Sequence, residues 1–454
     1  MTNKSINVSA YVAILLSIFT GAIDSTIVAN SIPLIAKSFN DYEKVNLITL
    51  AFFITSSVVV PIYGKLGDVV GRRNVLVAAQ CIFIIGLILG SASKTLDMLI
   101  IARAIQGVGG GGIITVAFTS VNDVVDEDSI LKYRGYVGIP FTLAGVIGPV
   151  VGGYISFYLG WRYIFYILSA LTLITIIMTI LVIPKPSTNK SDSSIDITGY
   201  SLISVFLLSL FLIFFSLSIY SIVFAFVSLL SGYAYVRHSH HGKPISLLPL
   251  RYIHFRASSV SSFFVGASLT SYTVFMPLWL QWYMGMKVIE SGLYMSILLI
   301  ALEIVYTLSG FTLKDPRYHM LHMYLGSASL SIGLMIMYMS YMGYISAMTG
   351  FIFTSILIGI GVGILIQYNI MIAQSSHRVE EVGASIASMD TFRNVGAYFG
   401  ISIINIVYTH MTAISGHMRS IEIVIPYGFM IMSILSTAPI IMHLYSAHSS
   451  AIED

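Results

Sequence analysis

Long apolar runs, each broken by a short polar stretch, recur along the whole chain. A membrane-crossing helix needs about 20 mostly apolar residues. Windows of that size predict fourteen spans, near 10–30, 47–64, 74–93, 97–120, 134–157, 161–183, 198–217, 220–236, 257–283, 290–311, 320–339, 344–369, 383–409 and 422–446. The runs are too long for a transmembrane barrel, whose strands alternate over about ten residues. A polar stretch, PKPSTNKSDSSID, follows the sixth span, and 237–256 is another long connection. The expected architecture is an all-α integral membrane protein. One six-helix bundle covers 1–183, a linker with two inserted helices and a loop covers 184–256, and a second six-helix bundle covers 257–454. Two similar bundles around a central cavity are a recurrent transporter plan.

Composition agrees and narrows the class. Of 454 residues, 56% are hydrophobic and 9% charged, against about 25% charged in soluble domains. Such a chain cannot coat a water-soluble fold of this size. The net charge of +3 comes without a basic run or arm, so no nucleic-acid partner is expected. Cys81 is the single cysteine, which excludes a disulfide framework and a thiolate metal site. His238, His240 and His241 have no acidic companion, so no metal or other cofactor is expected. Only Lys4 precedes the first apolar run, which does not read as a cleavable signal peptide. With the N-terminus inside, fifteen Lys and Arg residues fall on inner segments and six on outer ones. The positive-inside rule then predicts a multi-pass plasma-membrane protein with both termini cytoplasmic.

The scarce charges inside spans are where chemistry is expected. Asp24 sits in the first span, at a cost of about 2.5–3.5 kcal/mol on insertion scales. Such carboxylates mark ion or substrate pathways, or are held permanently by an arginine. Arg103 and Gln106 lie early in the fourth span, and Asp24 is a plausible counter-charge within the same bundle. Glu303, central in the tenth span, has no basic residue nearby in sequence and reads as a second proton or cation group. Asp390 and Arg393 are three apart, the spacing of an ion pair on one helix face.

Other stretches read as mechanical. Gly64 to Arg73 forms a glycine-rich inner loop in which Gly64, Asp68 and Arg72 suit a charged latch at helix ends, or a solvated basic loop. Gly107 and Gly111 share a helix face and favour close helix contact. Gly145, Gly148, Pro149, Gly152 and Gly153 make a kinked, smooth fifth span, suited to sliding or to ordinary tight packing. Tyr272, Phe275 and Trp279 form an aromatic stripe that either lines a substrate cavity or packs against helices and lipid.

These motifs, in this order, resemble the major facilitator superfamily, and specifically its fourteen-span drug:proton antiporter family. GKLGDVVGRR is similar to the superfamily loop signature between helices 2 and 3, and RAIQGVGGGG to the helix 4 signature whose arginine is assigned to proton transfer. GVIGPVVGG is similar to the helix 5 antiporter signature, and GAIDSTIVANSIP to the family's helix 1 signature. That signature usually has asparagine directly after Thr-Ile-Val; here Ala29 stands there and Asn30 follows. The resemblance implies a major facilitator fold and proton-coupled export of small drug-like, apolar or cationic compounds by a monomer in the bilayer, with no enzymatic activity. Asp24, Arg103 and Glu303 would couple protons. Uptake of a small metabolite, by proton symport or facilitated diffusion, is the alternative transport reading; a non-transporting membrane sensor on the same fold is another.

Overall fold

The structure is a computed structural model that describes residues 7–42, 44–125, 133, 136–184, 197–213, 219–241, 253–313, 316–375, 382–415 and 417–441. Among them all extended regular structure is helical. The helices are α1 Val8–Ala29, α2 Ile32–Phe39, α3 Leu47–Val70, α4 Arg72–Ser91, α5 Leu96–Val124, α6 Gly138–Tyr158, α7 Arg162–Val182 and α8 Ile197–Ile213. There follow α9 Ile219–His241, α10 Ile253–Leu278, α11 Val288–Thr312, α12 His319–Tyr341, α13 Ala347–Ser375, α14 Val382–Ser415 and α15 His417–Leu435.

Each expected span overlaps one of these helices, with 214–217 and 442–446 outside the described residues, and the short α2 is an addition. Eleven helices among the described residues are long and apolar enough to cross a membrane, and two more apolar stretches, Leu47–Val60 and Thr198–Ile213, are shorter. The breaks have local causes. Asn7 caps α1 by accepting from the Ala10 amide at 3.1 Å, and Thr95 caps α5 through the Met98 amide at 3.2 Å. Gly71 alone separates α3 from α4 at φ 98°, a backbone region that suits glycine. Pro277 near the end of α10 precedes a π-helical turn, Trp279–Tyr283. Exposed faces are apolar where lipid would lie, as on α9 at Ile222, Phe226 and Leu229.

The chain divides into two compact units. Unit 1 is Met1–Ser209, Val227–Gly232 and Met286–Leu293; unit 2 is Leu210–Phe226, Tyr233–Gly285 and Tyr294–Asp454. Helices α8 and α9 each contribute residues to both units.

In unit 1 the glycines of α5 are gripped from two sides. A Cβ at Gly107 or Gly111 would strike α3 at Phe52 O or Ser56 O, and one at Gly109 would strike α4 at Phe83 N. Unit 2 repeats this arrangement. A Cβ at Gly359 or Gly363 of α13 would meet Leu298 O or Leu302 O of α11 at 2.6 Å, and one at Gly361 would meet Gly326 O of α12 at 2.7 Å. A Gly-x-Gly-x-Gly core is thus the most visible trace of a repeat between the halves.

Candidate functional site

The first cluster forms where α1 crosses α5 in unit 1. Asp24 is completely buried, and so are Arg103 and Gln106, with at most 1% of any side chain exposed. The i, i+3 spacing puts Arg103 and Gln106 on one face of α5. Arg103 Nη1 donates to both Asp24 oxygens, at 3.0 and 2.7 Å, and to Gln106 Oε1 at 2.7 Å. Gln106 Nε2 donates in turn to Asp24 Oδ1 at 2.7 Å. The guanidinium stands 4.4 Å from the centre of the Phe52 ring, which adds a cation–π contact. Arg103 Nε is buried without a hydrogen-bond partner. The close approach depends on glycine: Gly86 of α4 faces the Gln106 backbone, and Gly21 of α1 faces Ile113 and Ile114.

The carboxylate is thus ion-paired and hydrogen-bonded wholly inside the unit. Without Asp24 the Arg103 cation would be buried with Gln106 and Phe52 alone, which is unfavourable in a dry site.

At the other end of α5, Arg72 of α4 donates to Asp123 Oδ1 at 2.7 Å and to Thr119 O at 3.1 Å. Asp123 lies outside the glycine-rich loop motif, so sequence reading missed it; its only signal was an acid at the end of a span. The side chain of Asp68, expected in the same latch, lies outside the described residues, and Gly64 faces open space.

The α6 motif packs on α1. A Cβ at Gly148 would strike Thr26 Oγ1, one at Gly152 would meet Ile27 O at 2.7 Å, and Gly145 is buried nearby in the helix. Thr26 Oγ1 donates to Ala144 O at 3.0 Å. Gly153 instead faces the first turn of α11, where a Cβ would meet Val288 O at 2.7 Å.

In unit 2, Glu303 of α11 is half-buried. Tyr306, one turn on, lies within electrostatic reach of Glu303, Asp390 and Arg393 together. Arg393 Nη2 is 3.1 Å from Asp390 Oδ1, and these side chains keep 34% and 47% of their surface exposed. Tyr306 thus feels charges from its own helix and from one some ninety positions on. Tyr272 and Phe275 are fully buried and Trp279 nearly so. They present almost no surface to a cavity in this conformation. The Tyr272 hydroxyl lies 2.7 Å from Ser355 Oγ, and its ring lies against Phe351 and Phe429. Among the described residues no group of three metal-ligating side chains occurs, and the side chains of His240 and His241 lie outside them.

Comparison with known proteins gives these features a family. The chain is 27% identical over 436 residues to the multidrug transporter protein MdtP of Bacillus subtilis, covering 91% of this chain and 77% of that one. It is 27% identical over 415 residues to the efflux pump dotC of Dothistroma septosporum, covering 87% and 69%. Against the uncharacterized transporter Rv1877 of Mycobacterium tuberculosis the identity is 25%, and the match spans 59% of that longer protein. In fold it is similar to a bacterial homologue of the human lysosomal transporter Spinster, with a TM-score of 0.72, 13% identity and 98% of each chain covered. The Major Facilitator Superfamily profile matches residues 14–401. This chain belongs to that superfamily of multi-pass membrane transporters, which are not enzymes.

Proposed function

We propose that the protein exports small drug-like organic compounds, apolar or cationic, in exchange for protons by alternating access. The observation that carries this reading is the buried Asp24 clasped by Arg103 and Gln106. Asp24 is the proton-binding group and Arg103 sets its affinity. Glu303 is a second group for a proton or a cationic substrate. The names of MdtP and dotC support export and a broad substrate class.

The layout that goes with this function has fourteen spans, with bundles at 1–183 and 257–454 and the insert at 184–256 between them. The α6 glycines form the moving interface, and Gly64, Asp68 and Arg72, now with Asp123, form a cytoplasmic latch. The distribution of Lys and Arg supports cytoplasmic termini in the plasma membrane.

The test is transport of an organic cation dye by purified protein in proteoliposomes under an imposed pH gradient. Dye movement and substrate-induced proton release should both occur with the parent, and Asp24→Asn should abolish their coupling. Full coupling in Asp24→Asn would sink the proton role. For Glu303→Gln, an unchanged pH dependence together with unchanged cation export would refute the second site.

A further inference from the structure

Asn30 is not part of the proton cluster, yet it is among the most tightly held polar side chains in unit 1. It caps the end of α1 and is 1% exposed. Its Nδ2 donates to Pro149 O of α6 at 3.1 Å and to Val288 O of α11 at 3.0 Å. Its Oδ1 accepts from Ser291 Oγ of α11 at 3.0 Å. One amide therefore ties three helices. Two glycines let it do so: a Cβ at Gly292 would strike Pro149 O, and one at Gly153 would meet Val288 O at 2.7 Å and Asn30 Nδ2 at 3.1 Å. The backbones of α6 and α11 touch at this point, and no side chain other than that of Asn30 is needed to join their carbonyls.

The joint holds only the first turns of α11. Met286–Leu293 belongs to unit 1, whereas α11 from Tyr294 onward belongs to unit 2. When the start of α11 leaves α6 and α1, the Asn30 amide loses its bonds to Val288 O and Ser291 Oγ together. Each needs water in exchange, because an unpaired buried polar group is strongly unfavourable. The joint is thus either closed and dry or open and wet.

We infer that Asn30 is the positioning residue of this joint, clamping the start of α11 to the kink of α6, and that the transport cycle passes through release of the clamp. This rests on the reading of α6 as a moving interface, but not on proton coupling. Pro149 and the glycines supply the fit, Asn30 the two donors, and Ser291 the hydroxyl that fixes the amide's orientation.

The test reads opening directly. In a Cys81→Ser background, Val288→Cys places a thiol at a position that is 5% exposed when the joint is closed. Its rate of reaction with a hydrophilic maleimide is measured on folded protein in lipid nanodiscs, without substrate or gradient. Adding Asn30→Ala should speed labelling about tenfold, the sum of two or three membrane hydrogen bonds. Asn30→Asp should do the same, since a carboxylate cannot donate to two carbonyls. Ser291→Ala should give a smaller rise, and Ser291→Thr should stay near the parent rate. A merely structural role would lower the yield of folded protein without this pattern. Parent-like labelling in Asn30→Asp and Ser291→Ala would overturn the proposal, and these two variants decide it even if Asn30→Ala does not fold. Loss of proton coupling in the liposome assay leaves this result untouched, so the two readings fail separately.

Discussion

The Tyr272 hydroxyl meets Ser355 at 2.7 Å, and Ser355 lies four residues before Gly359. Arg103 likewise lies four residues before Gly107. Each pair joins the helix that opens a bundle to the glycine-patterned helix, α1 to α5 and α10 to α13. The first link is ionic and the second is neutral. The ionic link is the costlier one to break from one side, because it leaves a buried charge without its partner.

Removing the charge on one side of the first link should be far more damaging than removing both. Asp24→Ala leaves a buried arginine unpaired, and the expected loss of stability is about 3–5 kcal/mol. Adding Arg103→Met to it should recover a large part of the loss. Thermal unfolding of the two single variants and the double variant in detergent measures the coupling; strictly additive effects would contradict the pairing.

The neutral link should behave differently. Tyr272→Phe removes one hydrogen bond and keeps the ring against Phe351 and Phe429, so the expected loss is about 1 kcal/mol. Because the side chain has no exposed surface, KM for the dye should stay within about twofold in this conformational class. A large change in KM at full stability would restore Tyr272 to the substrate site.

Glycine positions should split by what a methyl group would meet. Gly148→Val, against Thr26, should abolish transport or folding, since the α1–α6 contact has no room. Gly138→Ala, with nothing within 4 Å, should be silent in both folded yield and transport rate. Equal effects at the two sites would mean that close helix approach is not what the α6 glycines provide.

Arg72 and Asp123 are partly exposed, so their pair should add less than about 1 kcal/mol to stability. Its effect should appear in transport instead. Asp123→Asn should slow turnover in the liposome assay at unchanged melting temperature, and the exchanged pair Arg72→Asp with Asp123→Arg should recover part of the rate. A drop in melting temperature matching the loss of rate would make the pair merely structural.

The helices were legible because length and apolarity suffice to mark them, and the Asp24–Arg103 cluster because isolated charges in a span demand partners. Partners from distant segments were not legible. Phe52, Asp123 and Ser291 carry no motif of their own, and only the folded chain brings them to Arg103, Arg72 and Asn30. Tyr306 was missed for the same reason: the charges of Asp390 and Arg393 reach it only through helices far apart in sequence. The aromatic stripe was ambiguous because helical spacing is the same for a cavity wall and a core; Tyr272 and Phe275 are buried in this structure.

The glycine contacts also divide unit 1 mechanically. Backbone touches backbone between α5 and both α3 and α4, and again between α6 and α1. Helices joined that closely have to travel together, like parts keyed on one shaft. Between α1 and α5 the fit is softer: Gly21 rests on the side chains of Ile113 and Ile114, the Asp24 cluster joins the middle, and Asn7 N donates to Val124 O at 3.3 Å. That boundary is the softer seam of the unit, and the Asp24–Arg103 ion pair is what fastens its middle.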